Sequence, residues 1–73
     1  MSIFKTMSPG DVVRTHRAAN NWTQARLGEE CNLTRATISR IESGDRPNAE
    51  SARKLANALN CDLELLIPDP PAS

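Results

Sequence analysis

Gln24-Ala25-Arg26-Leu27-Gly28-Glu29-Glu30-Cys31-Asn32-Leu33-Thr34-Arg35-Ala36-Thr37-Ile38-Ser39-Arg40-Ile41-Glu42-Ser43 is the stretch that decides the fold. Leu27 and Cys31 are four apart and share one helix face; Ile38 and Ile41 are three apart and share another. Leu33 is the fifth apolar residue. Gly28 falls where the second of two short helices must cross closely. Asn32 falls where the turn between them needs a left-handed residue, and Asn tolerates that conformation better than most. The pattern is a helix-turn-helix, whose second helix can enter a DNA major groove, so DNA binding is the first functional expectation.

Outward from this stretch, the 73 residues suit one small domain. The core must come from Leu, Ile, Val and Ala, because the chain has one Trp, one Phe and no Tyr. Cys31 and Cys61 each occupy an apolar slot of a helical pattern, as free core cysteines do, and a bridge between them is not favoured. With no CxxC and a single His, no metal site is expected, nor any cofactor. No signal peptide or membrane span is apparent, and a reducing cytoplasm is the simplest compartment. Net charge is zero, but residues 1–47 carry +2 and residues 48–73 carry −2. The basic part contains the motif, which predicts a polarised molecule with modest sequence-independent DNA affinity.

Helix starts recur along the chain. Ser8, Thr23, Thr34, Asn48 and Asp62 are candidate N-caps, with Pro9 suited to a first helical position and Asp11 to an approximate capping box. Each cap has an apolar residue or Pro before it and an apolar residue four places after it. The pairs are Met7/Val12, Trp22/Leu27, Leu33/Ile38, Pro47/Ala52 and Cys61/Leu66, the hydrophobic-staple arrangement. Asn20-Asn21 ends the first helix, and Gly44 ends the third as a C′ glycine. Ala52, Leu55, Ala56 and Leu59 form a stripe in the fourth.

The predicted core is Val13, Trp22, Leu27, Cys31, Leu33, Ile38, Ile41, Leu55, Ala56, Leu59, Leu63 and Leu66. At 62–67 the Asp62 cap and Leu63/Leu66 spacing favour a fifth helix, while the alternation of Leu63, Leu65 and Ile67 also fits a short strand. Pro68, Pro70 and Pro71 stop any helix. The expected organisation is an arm at 1–7, one all-α five-helix domain at 8–67 and a Pro-rich tail at 68–73.

Over roughly residues 8–67 the sequence resembles the phage-repressor/Cro-type helix-turn-helix regulators, the XRE family. The resemblance rests on Thr23-Gln24, on Thr34-Arg35-Ala36-Thr37-Ile38-Ser39-Arg40-Ile41-Glu42-Ser43-Gly44, and on residues 48–67 as the last two helices. It implies a lambda-repressor-like fold with the motif as helices two and three. Gly28 stands where the family usually has Ala, and Asn32 where it usually has Gly. The resemblance also implies that Arg17 and Glu42 form a partly buried ion pair, and that Gln24 braces the start of the recognition helix. Independently, Arg17 lies four residues after Val13 at the core edge. A carboxylate at Glu42, near the C-terminal end of its helix, needs a cation against the dipole.

With Ile38 and Ile41 turned inward, Arg35, Ala36, Ser39 and Arg40 form the other side of the third helix and are the base-reading candidates. Arg35 in the first turn can pair bidentately with guanine, and Ala36 can pack on a thymine methyl. Arg40 can read a second base or hold a phosphate; Ser39 offers a less selective contact. Gln24 at the start of the second helix, Thr37 and Arg46 are the phosphate candidates.

One such domain reads few base pairs, so two copies on a pseudo-palindrome are expected. Leu65 and Ile67, left over once the core is assigned, are the candidate homodimer contact. No catalytic constellation is present, so no enzyme is expected. The competing reading is an antitoxin-type interaction module that neutralises a partner toxin and represses its own operon.

Overall fold

A computed structural model describes residues 7–67; the tail expected at 68–73 and all of the arm expected at 1–7 except Met7 lie outside them. The order is α1 (Pro9–Ala19), α2 (Gln24–Cys31), α3 (Arg35–Glu42), α4 (Ala49–Leu59) and a 3-10 turn at Leu63–Leu65. The described residues contain no strand. The α2 and α3 helices pack on each other, α1 lies against α3 and α4, and α4 closes the other side of α2 and carries the 3-10 turn.

Four of the five proposed caps close on the backbone N–H three residues later, one of the donors a helix start leaves without a partner. Ser8 accepts from Asp11 at 3.2 Å, Thr23 from Arg26 at 3.0 Å, Thr34 from Thr37 at 3.1 Å and Asn48 from Ser51 at 2.7 Å. The Asp11 carboxylate turns to Arg14 rather than back to the cap. The fifth cap, Asp62, makes no side-chain bond, and a single 3-10 turn stands after it in place of the expected fifth helix. Pro68 comes next but one after Leu66 in the sequence, and a residue preceding proline is pushed out of the helical region.

The four helices end alike. At each end the C″ N–H reaches back to the carbonyl five residues earlier: Trp22 to Arg17 at 3.2 Å, Leu33 to Gly28 at 2.8 Å, Asp45 to Arg40 at 3.0 Å and Cys61 to Ala56 at 3.1 Å. This is the Schellman closure, with a positive-φ residue at C′. Those residues are Asn21, Asn32, Gly44 and Asn60, at φ 59°, 58°, 125° and 54°. At three of the four exits the same triplet appears: a left-handed Asn, an apolar residue, then the proposed cap of the next element (Asn21-Trp22-Thr23, Asn32-Leu33-Thr34, Asn60-Cys61-Asp62).

The residues four places after the caps, Val12, Leu27, Ile38, Ala52 and Leu66, are all fully buried. Val13, Cys31, Ile41, Leu55, Ala56 and Leu59 complete the buried cluster. Three residues assigned to the core by sequence, Trp22, Leu33 and Leu63, are only partly buried against it. Trp22 and Leu33 stand directly before the caps Thr23 and Thr34, and Leu63 opens the 3-10 turn, each packed on the core from one side. Val12 and Ala52 take full burial instead. Neighbouring Val12 and Val13 are both enclosed because α1 touches two helices at once. Met7 also packs against the core. Both cysteines are free, and burial pushes their thiols up. No helix of the described residues is long and apolar enough to cross a membrane.

Candidate nucleic-acid interface

The turn between α2 and α3 is tight because backbone approaches backbone. A Cβ built on Gly28 would stand 2.5 Å from the Leu33 carbonyl oxygen. The close approach expected at Gly28 is therefore made by the turn itself, and an alanine would need that carbonyl to move.

The exposed face of α3 presents Arg35, Ala36 and Arg40, with Ser39 and Thr37 half-buried at its edges. Its opposite face buries Ile38 and Ile41. The arginines of the described residues divide into two groups. Arg14, Arg17 and Arg26 each hold a carboxylate, of Asp11, Glu42 and Glu30. Arg35, Arg40 and Arg46, with Arg53 on α4, are exposed and hold none. Three of the four uncommitted guanidiniums thus lie on α3 or the loop after it.

Thr37, Arg40 and Arg46 line one cleft of about 170 Å³ between α3 and the start of α4, together with Asp45, Asn48 and Ser51. The Thr37 hydroxyl is already engaged with that of Thr34, at 2.8 Å. Gln24 stands apart from this cleft. Its amide donates to Glu42 Oε1 at 3.2 Å, so it braces the end of α3 and not, as the resemblance implied, the start.

Glu42 is the hub of the opposite side. The Arg17 Nε donates to Oε2 at 2.7 Å and Nη2 to Oε1 at 3.1 Å, a two-pronged, charge-assisted contact. The remaining Arg17 nitrogen, Nη1, donates to the Trp22 carbonyl at 2.8 Å. The side chains are 19% and 6% exposed, so both charges are largely out of water. The hydrogen bond to Glu42 pushes the Arg17 guanidinium above its ordinary value, with burial opposing. One carboxylate thereby ties α1, the start of α2 and the end of α3 into a single unit.

At the opposite end of the chain Leu65 is half-buried and packs on the core, so the expectation that it lacks an intramolecular partner does not hold. Ile67, at 39% exposure, is the large hydrophobic that faces solvent among the described residues.

These elements define a helix-turn-helix DNA-binding domain. Residues 13–66 match the helix-turn-helix family model, and the chain belongs to that family, in its phage-repressor/Cro (XRE) type. A solved structure of the P22 c2 repressor protein in complex with synthetic operator 9T in the presence of Tl+ is similar at a TM-score of 0.78 and 31% identity, over 86% of this chain and 97% of that one. No curated protein matches the sequence.

Proposed function

We propose that this protein is a sequence-specific transcriptional regulator that binds a pseudo-palindromic operator in double-stranded DNA as a homodimer, with α3 in the major groove. The observation that carries the reading is the division of labour on α3. One face and both ends are committed to the fold, while Arg35, Ala36 and Arg40 are exposed and the two guanidiniums hold no carboxylate. The similarity to a repressor solved with its operator supports the same reading.

Arg35 reads guanine from the first turn, Ala36 meets a thymine methyl, and Arg40 and Ser39 act one turn later. Gln24, Thr37 and Arg46 serve the phosphates, the last two from the shared cleft. Ile67, with the adjoining edge of Leu65, forms the two-fold contact.

Selection from a random DNA pool tests the proposal. Enrichment of an inverted repeat with half-sites about one helical turn apart is expected. Enrichment of a single half-site removes the dimer, and no enrichment removes sequence-specific reading.

A further inference from the structure

The first turn of α1 touches the end of α3 backbone to backbone. Gly10 is buried, and a Cβ built on it would stand 2.4 Å from the Ile41 carbonyl oxygen and 3.2 Å from both Cα and the carbonyl oxygen of Glu42. None of these atoms belongs to a flexible side chain, so a methyl group there must displace the α3 backbone or lift α1 off it. Gly10 and Arg17 are seven residues apart, about two turns, and therefore share one face of α1. Both bear on the same short segment of α3: Gly10 on Ile41 and Glu42, Arg17 on Glu42.

That segment is also where α3 hands over to the loop. The Ile41 carbonyl accepts from the Gly44 N–H at 3.1 Å, and the Arg40 carbonyl from the Asp45 N–H at 3.0 Å. Moving the Ile41 carbonyl disturbs the closure that positions Arg40 and Arg46. The other end of α3 is held separately, by the Thr34 cap and the close approach at Gly28. The first turn of the recognition helix thus rests on α2, while its last turn takes its backbone contact and its ion pair from α1, with the Gln24 amide of α2 joining them at Glu42.

Resting on the DNA-reading function above, we infer that Gly10 is a specificity-determining positioning residue, which never touches DNA but sets the Arg40 half of the recognition helix, leaving the Arg35 half to α2. Substitution at Gly10 alters base preference only where Arg40 reads.

The test begins with wild type, R35A and R40A on a full set of single-base operator variants, which assigns one position to each arginine. A wild type without base preferences refutes the DNA-reading function and this inference with it, whereas an R40A that changes none refutes this inference alone and leaves Arg40 a phosphate contact; both are read before any Gly10 variant is made. G10A is then measured per folded molecule, in the wild-type chain and in an Asn60→Gly background chosen to offset lost stability. Discrimination at the Arg40 position should fall about tenfold, the size of one lost base contact. Preference at the Arg35 position should stay unchanged, and R40A/G10A should be no worse than R40A. Amide chemical-shift changes should gather at residues 40–46 rather than 34–37. Equal weakening at every position, or unchanged preferences in a destabilised protein, would show that Gly10 only packs. A G10A chain that stays unfolded in both backgrounds would overturn the inference equally, because the contact would then be a condition of folding and not a setting of the helix.

Discussion

Removing one partner of the Arg17–Glu42 pair should cost more than removing both would suggest. Arg17→Met leaves a carboxylate that is 6% exposed with one neutral donor, the Gln24 amide at 3.2 Å. Breaking a buried pair in this way costs about 3–5 kcal/mol, because the charge left behind has lost both its water and its partner. Glu42→Gln is milder. The stranded guanidinium is 19% exposed and keeps the Trp22 carbonyl, so part of it can return to solvent. We expect about 2–3 kcal/mol for that variant. Total stability for 73 residues is about 4–11 kcal/mol at 0.05–0.15 per residue, so Arg17→Met removes a large share. The double variant buries no lone charge, and its loss should fall short of the sum by about 1–3 kcal/mol. Urea unfolding of all four proteins measures this, followed by the single Trp22 and, since Arg17 bonds its carbonyl, also by circular dichroism. Additive losses, within about 0.5 kcal/mol, would mean two independent charges and would refute the hub.

Further outcomes test the interface and the edges of the fold. Arg35→Ala should cost about 1–3 kcal/mol at the cognate operator and relax one base preference, whereas Gln24→Ala should weaken cognate and mismatched sites together; titration against single-base variants separates the two. Asn60→Ala should lose about 1 kcal/mol and Asn60→Gly gain about 0.5 kcal/mol in urea unfolding, since residue 60 sits at φ 54°. Ile67→Glu should leave the fold intact and give a monomer by sedimentation that binds an isolated half-site normally; a dimer that persists places the interface elsewhere. Because burial raises both thiols, the unfolded chain releases those protons first as pH rises. Stability should therefore hold below the ordinary thiol range and fall above it, and Cys61, half-buried, should be alkylated before buried Cys31.

Much of the fold was legible because capping chemistry is local. A Ser, Thr or Asn needs only its own next turn to act as a cap, and the residue four places on faces the core whatever it meets there. Asn32 and Gly44 were legible for the same reason. The left-handed role of Asn60 had the same signal, its apolar-then-cap sequel, but was not singled out from the sequence. What could not be read was set by neighbours far along the chain. That Val13 is enclosed together with its neighbour Val12 depends on α3 and α4 both bordering α1. Trp22 stays half-exposed because it stands at a domain edge. Gly10 looked like part of a helix start, and its approach to the Ile41 carbonyl depends on how α1 crosses α3. Of the candidate interface, the exposed face was legible from the inward turn of Ile38 and Ile41. The bond from Gln24 to Glu42 was not, because it joins residues 18 apart.

The repeated Asn–apolar–cap triplet has a consequence for where this chain can change length. In each triplet one residue closes the preceding helix with its N–H and shields the next turn with its side chain, so no residue is spare, and one inserted there would separate the two duties. The α3–α4 connection is built differently. Asp45 closes α3, the buried Pro47 precedes the next cap, and exposed Arg46 stands between them with no structural bond. That joint can lengthen without unmaking either helix end. It is the point at which related chains can gain residues beside the proposed DNA surface while the framework beneath stays as it is.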